Sequence, residues 1–140
     1  MKRCSSYKFI KRLLDISVAS IALLLLMPLF LLVAIILKVT AEGEVFYLQE
    51  RVGYRNGTFR IFKFATMLKN SLNMGTGSIT LDGDFRVTKF GKILRKSKIN
   101  ELPQLVNVLK GDLSLVGPRP VLAQDSMLYP NEIRSRIYNV

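Results

Sequence analysis

The apolar and polar positions divide the chain into a long uncharged run followed by short alternating segments. Ile16 to Leu37 is a stretch of 22 residues without a charge, rich in Leu, Ile, Val and Ala. As a helix it is long enough to cross a hydrocarbon core of roughly 30 Å. Two strand-like segments follow, Glu44 to Glu50 with Val45, Phe46 and Tyr47, and Thr58 to Phe64, which reads Thr-Phe-Arg-Ile-Phe-Lys-Phe. Between them Gly53-Tyr54-Arg55-Asn56-Gly57 holds the glycines and the Asn-Gly pair that tight turns favour, so the pattern predicts a β-hairpin. Residues 69 to 84 carry Gly75, Gly77 and Gly83 among Asn, Asp, Ser and Thr without a sustained period, which reads as a loop. Its Gly75-Thr76-Gly77 lacks the Lys and the spacing of a phosphate-binding loop.

From Thr88 the period becomes helical. Val87, Phe90, Ile93 and Leu94 fall on one side, with Lys89, Lys92, Arg95 and Lys96 mostly on the other, predicting a short basic amphipathic helix. In a second helix Leu102, Leu105, Val106 and Leu109 recur at i, i+3, i+4 and i+7 and Gly111 is the stop. Asn100 sits at its N-cap position, with Glu101 in its first turn and Pro103 close behind. The expected fold class is α+β. A basic N-terminus and membrane-embedded helix occupy residues 1–38, and a small basic domain of short helices and a β-hairpin occupies 39–140.

Charge bears on how the apolar run sits. Lys2, Arg3, Lys8, Lys11 and Arg12 precede it, and residues 38–140 hold 16 Lys or Arg against 9 Asp or Glu. Since Lys and Arg favour the cytoplasmic side, a straight span leaves one basic flank outside. Pro28 removes a helical hydrogen bond, and a helix kinked there enters and leaves on one face. The residues alone leave open a straight anchor that tolerates the proline. A cleaved signal peptide fits less well, because Lys38-Val39-Thr40 follows in place of a small-x-small site.

A net charge of +11 calls for anionic partners, which include nucleic acid, lipid headgroups and phosphorylated substrates. The apolar run favours the last two. Cys4 is the only cysteine and there is no histidine, which excludes an intrachain disulfide, a thiolate cluster and an imidazole base. What remains is the chemistry of carboxylates, amides, hydroxyls, Lys and Arg.

The strip Asn100-Glu101-Leu102-Pro103-Gln104-Leu105, with Asn107 to Asp112 and Gly117-Pro118-Arg119-Pro120 after it, has two readings. In the structural one Asn100 caps a helix, Glu101 faces its positive end, and Arg119 is a solvated turn residue. In the functional one free N–H groups, Arg95 and a proline-flanked Arg119 take phosphate oxygens. Glu101 is then the acidic group beside a divalent ion, with Mg²⁺ the expected one, that is held by few carboxylates and the substrate's phosphates. Asp112 is the other acidic residue nearby and reads as a turn residue.

At these residues the chain resembles the bacterial sugar transferase family, the polyprenyl-phosphate hexose-1-phosphate transferases. The likeness begins at Lys11-Arg12-Leu13-Leu14-Asp15 and includes Pro28, Gln49 to Gly53, Phe59 to Phe64, Thr66-Met67 and the strip from Glu101 to Pro120. The resemblance implies transfer of a sugar 1-phosphate from a UDP-sugar to undecaprenyl phosphate, with release of UMP, to begin surface polysaccharide or glycan assembly. It also implies a covalent aspartyl-phosphosugar intermediate, Mg²⁺, a re-entrant membrane helix and a soluble part facing the cytoplasm from the bacterial inner membrane. Carried over by position, Asn100 stands in the nucleophile's place and Glu101 is the retained acidic, catalytic and metal-binding residue. Lys63, Arg95 and Arg119 match phosphate-handling positions. The implied partners are UDP-sugar, undecaprenyl phosphate and membrane lipid, with no nucleic acid.

Three departures accompany the likeness. Asn100 replaces an Asp, Ala65 stands where a basic residue is common, and the chain stops at Val140, where family members continue through a Pro-Gly-x-Thr-Gly stretch. A C-terminally truncated chain is therefore expected, and an inactive remnant that still binds lipid phosphate is the competing reading. A basic membrane-anchored nucleic-acid binder is a third, which nothing in the strip demands.

Overall fold

A computed structural model describes residues 5–40, 42–53, 57–74, 83–122, 125 and 127–130. Helix α1 covers Ser5–Thr40, strands β1 and β2 cover Phe46–Val52 and Thr58–Phe64, and helices α2 and α3 cover Lys89–Lys96 and Gln104–Lys110. Short 3₁₀ turns lie at Ser71–Asn73 and Ile99–Glu101. The two strands pair as an antiparallel sheet, so the chain is α+β as expected. Strand β1 starts two residues later than the pattern suggested, and β2 has the predicted bounds. The hairpin residues Tyr54, Arg55 and Asn56 lie outside the described residues, as do Gly75 and Gly77 of the predicted loop.

Helix α1 runs through Pro28 and is long and apolar enough to cross a membrane. Among its described side chains only Asp15, Ala19, Val33 and Leu37 are buried, whereas Leu24, Leu25, Leu31, Ile35 and Val39 are all more than half exposed. Apolar surface of this kind costs about 25 cal/mol per Å² in water and none of that in lipid. The helix is a membrane-associating one.

The chain divides into two compact units. The first holds Met1–Leu25, Leu48–Phe62 and Gln104–Val140. At its centre Asn107 is fully buried. Its side-chain carbonyl accepts from the Phe62 N–H at 2.9 Å, and its amide donates to the Arg60 carbonyl at 2.7 Å and to Asp112 Oδ2 at 3.2 Å. These bonds satisfy the buried amide from both its oxygen and its nitrogen, which is why a polar residue is tolerated in this core. The Asn107 backbone carbonyl accepts from Gly111 and Asp112 at 3.0 Å, and Gly111 ends α3 in the left-handed conformation, φ 95°.

This corrects the expected face of α3. Leu102, Leu105, Val106 and Leu109 are only half buried, and the buried positions are Asn107 and Val108. A seven-residue helix closed off by hydrogen bonds from its side chains need not follow an apolar stripe.

The first turns of α1 supply the charged groups of the same unit. Arg12 donates to the carbonyls of Val108 and Leu109 in the last turn of α3, and the Val108 carbonyl also accepts from the Gly111 N–H at 3.2 Å. Asp15 accepts from the Ser114 hydroxyl at 2.7 Å and the Leu115 N–H at 3.3 Å, and Lys11 bridges to both Asp15 and Ser114.

The second unit holds Leu26–Tyr47 and Lys63–Pro103. Val33, Leu37, Phe64 and Leu94 form its buried cluster, with Leu29, Phe30, Val45, Phe90 and Ile99 around it. The Phe64 ring meets Phe30 at 5.3 Å and Phe46 at 5.5 Å between centroids. Helix α2 is fastened to the segment after β2. The Thr66 carbonyl accepts from the Thr88 N–H at 3.0 Å, and the Thr88 hydroxyl caps the helix by accepting from the Gly91 N–H at 2.9 Å.

The sequence reading put Ile93 on the apolar side of this helix, and the structure reverses it. Gly91 and Leu94 are buried, whereas Ile93 is 61% exposed. At 100° per residue Ile93 lies nearer to Lys89 and Lys96 than to Leu94, and the close approach of Gly91 to Thr66 decides which face turns inward.

Gly91 generates a prediction. In a helix interior Ala normally exceeds Gly by about 1 kcal/mol, but a Cβ here would stand 2.2 Å from the Thr66 carbonyl oxygen. The clash is with backbone and outweighs the propensity gain, so Gly91→Ala is expected to destabilise by about 2 to 3 kcal/mol. A thermal melt of the detergent-solubilised protein checks it, and a higher Tm for the variant contradicts it.

Candidate functional site

Four of the five expected site residues lie in the second unit. Lys63 is in β2 and is half buried. Arg95 is in the last turn of α2, and Asn100 and Glu101 are in the 3₁₀ turn that packs against that helix. Arg119 belongs to the first unit, where it is exposed and helps line a cavity of about 460 Å³ with Lys8, Lys11 and Phe59.

Arg95 is oriented by a group to which the sequence reading gave no role. Its Nε donates to the Thr66 hydroxyl at 2.8 Å, and Thr66 is buried. A guanidinium held through Nε keeps the two terminal nitrogens of its fork for a planar or tetrahedral anion. Burial lowers the Arg95 pKa from its ordinary value; the Asp84 carboxylate opposes this and Arg86 reinforces it. The group still carries its charge at neutral pH, since arginine stays protonated in proteins.

Asp84 and Arg86 form the buried ion pair nearby in the sequence. Arg86 Nη2 lies 2.6 Å from Asp84 Oδ2, with its Nε on the same carboxylate and its Nη1 donating to the Ser71 and Met74 carbonyls. The bonds to Asp84 raise the Arg86 pKa. Such a fully paired charge organises the backbone around it. Its sequence signal was an arginine between Phe85 and Val87, an apolar setting for a charge.

Asn100 differs from expectation. It is not the N-cap of α3, because Lys98 leaves α2 in the left-handed conformation, φ 62°, and Ile99–Glu101 then make a separate turn. Pro103, with a fixed φ and no N–H, precedes the first residue of α3, Gln104. The Asn100 Oδ1 is enclosed and has no hydrogen-bond partner among the described residues. Glu101 is half buried in the same turn. Among the described residues no three His, Cys, Asp or Glu side chains cluster to hold a metal.

Arg95, Glu101 and Lys63 thus belong to one compact unit, in which the Arg95 guanidinium is held through its Nε and Glu101 sits in the turn packed on its helix. The model of the family described as "Bacterial sugar transferase" matches residues 6–140.

The chain belongs to the bacterial sugar transferase family. It is similar to a UDP-N-acetylgalactosamine-undecaprenyl-phosphate N-acetylgalactosaminephosphotransferase of Aeromonas hydrophila, at 53% identity over 81% of this chain and 27% of that protein. It is also similar to the exopolysaccharide production protein ExoY of Rhizobium meliloti, at 38% identity over 85% of this chain and 59% of that protein. A putative undecaprenyl-phosphate N-acetylgalactosaminyl 1-phosphate transferase of Bacillus subtilis is 36% identical over 94% of this chain and 73% of its own length. The chain thus spans between about a quarter and three quarters of these relatives.

In this sugar transferase chain Thr66 holds the Arg95 side chain, and its substitutions separate that hydrogen bond from the fold. Thr66→Val keeps the shape and removes the hydroxyl, so the variant is expected to lose about 1 kcal/mol of stability. Thr66→Ser keeps most of it. Thermal melts of the detergent-solubilised protein read both, with circular dichroism to verify unchanged helix content, and equal Tm values for the Val and Ser forms contradict the assignment.

Proposed function

We propose that this chain transfers a sugar 1-phosphate from a UDP-sugar to undecaprenyl phosphate at the membrane surface, as an initiating step of polysaccharide or glycan synthesis. The observation that carries the reading is the Arg95 fork oriented by Thr66 in the same unit as Glu101 and Lys63. The activities for which its family relatives are named support the choice of donor and acceptor. Helix α1 is read as re-entrant, bent at Pro28, with the basic part of the chain on the cytoplasmic face of a bacterial inner membrane.

In the reaction an oxygen nucleophile forms a bond to the sugar-bearing phosphorus and the bond to the bridging diphosphate oxygen breaks. UMP leaves with that electron pair. The lipid phosphate oxygen then forms a bond to the same phosphorus as the bond to the first oxygen nucleophile breaks, and that nucleophile leaves with the electron pair, restored to its starting form. Arg95 and Lys63 compensate the charge on the diphosphate oxygens, and Arg119, in the first unit, is assigned a phosphate-binding role of its own. Glu101 is the carboxylate of the site and carries the nucleophilic or proton-handling role that an amide at Asn100 cannot.

One carboxylate with substrate phosphates fits the usual ligand set of Mg²⁺, which keeps several waters and takes few protein ligands. Glu101 would hold it, and it would supply charge neutralisation at the diphosphate.

The neutral Asn100 amide, whose enclosed Oδ1 has no hydrogen-bond partner among the described residues, favours a second reading, a chain that binds these substrates without turning them over. UMP release from a UDP-sugar panel with undecaprenyl phosphate and Mg²⁺ separates the two. Slow release by the native chain, its loss in Glu101→Gln, and a rise of roughly 10² or more in Asn100→Asp are expected for a transferase that lacks its charged nucleophile. Silence from the native chain with release by Asn100→Asp supports the binding-only reading, and silence from all three forms overturns the transfer reading.

A further inference from the structure

The face of α2 opposite Leu94 combines charge with an unexplained apolar group. Lys89, Lys92, Ile93 and Lys96 fall at i, i+3, i+4 and i+7 and are all exposed. Ile93 lies between Lys89 and Lys96 along the helix axis, at the edge of the lysine arc around it, and is 61% exposed. The opposite face of the helix is already occupied, since Leu94 is packed in the cluster with Val33 and Leu37 of α1. Val33 and Leu37 lie at the end of the uncharged run that begins at Ile16. A helix packed against the last turns of a membrane-embedded segment is carried at about headgroup level.

We propose that this face of α2 docks on anionic lipid headgroups, with Ile93 entering the interface between the lysines. Lysines at a bilayer surface are drawn to anionic lipid, and an apolar side chain among them gains from the acyl boundary. An RNA backbone would be attracted by the same lysines but leaves Ile93 in water, so the isoleucine favours lipid. The proposal rests on the membrane association of α1 and not on transferase activity.

The test uses the whole chain in nanodiscs of phosphatidylcholine with and without phosphatidylglycerol. An environment-sensitive fluorophore is placed by Ile93→Cys in a Cys4→Ser background, which removes the only other thiol. The expected result is a blue-shifted emission, quenched by headgroup-level spin-labelled lipid, that appears only with phosphatidylglycerol and fades at high salt. Each lysine contributes about fivefold to the docked population, so the combined Lys89→Glu, Lys92→Glu and Lys96→Glu form should lose the shift. The salt arm leaves these side chains intact and stands even if the triple variant misfolds. Emission that is the same in both lipid compositions overturns the proposal, as does quenching insensitive to salt. Salt-sensitive RNA binding that needs the three lysines, without any lipid response of the label, assigns the face to nucleic acid and also overturns it.

Discussion

The membrane-associating helix α1 is the constraint around which the structure is arranged. A helix is one of the few forms that satisfies every backbone group inside lipid, so the long apolar run has to be helical wherever it meets hydrocarbon. Within that requirement α1 gives up a few positions to the rest of the chain. Lys11, Arg12 and Asp15 pair with the end of α3 and the segment after it in the first unit. Val33 and Leu37 complete the apolar cluster of the second. Exposed leucines between these positions are costly only in water.

The candidate site depends on how α2 is held. Thr66 receives the N–H of Thr88 on its carbonyl and the Nε of Arg95 on its hydroxyl, so one residue sets both the start of the helix and the direction of the guanidinium in its last turn. Gly91 permits the approach because any Cβ there meets the Thr66 carbonyl. Asn100 lies in the 3₁₀ turn that packs against this helix and carries no charge. An amide preserves the shape of a carboxylate with little change in volume, so the fold accommodates Asn100 whatever becomes of the chemistry.

Much of the architecture was legible along the chain. The hairpin followed from alternation around an Asn-Gly pair, α2 from its helical period, and the end of α3 from Gly111, whose positive φ needs glycine. The family was legible as an ordered series of short motifs, and the match over residues 6–140 agrees with it. Less was visible where two neighbouring positions compete for one face. Ile93 and Leu94 are equally apolar, and only the contact of Gly91 with Thr66 turns Leu94 inward. The burial of Asn107 has no signal along the chain, since it depends on the N–H of Phe62 and the carbonyl of Arg60 being brought to it.

Periodicity and composition by themselves determined the elements, the lipid-compatible helix and the excess of positive charge, because these follow from local backbone preference and from transfer between water and hydrocarbon. Tertiary structure decided that Asn100 sits in a separate turn and caps nothing, that Thr66 orients Arg95, and that α2 shows an isoleucine among its lysines. Those outcomes depend on hydrogen bonds between residues far apart in the chain. Thr66 and Arg95 are separated by 29 positions, and Asn107 and Arg60 by 47. A local pattern carries no record of such pairings, since either partner alone is an ordinary polar side chain.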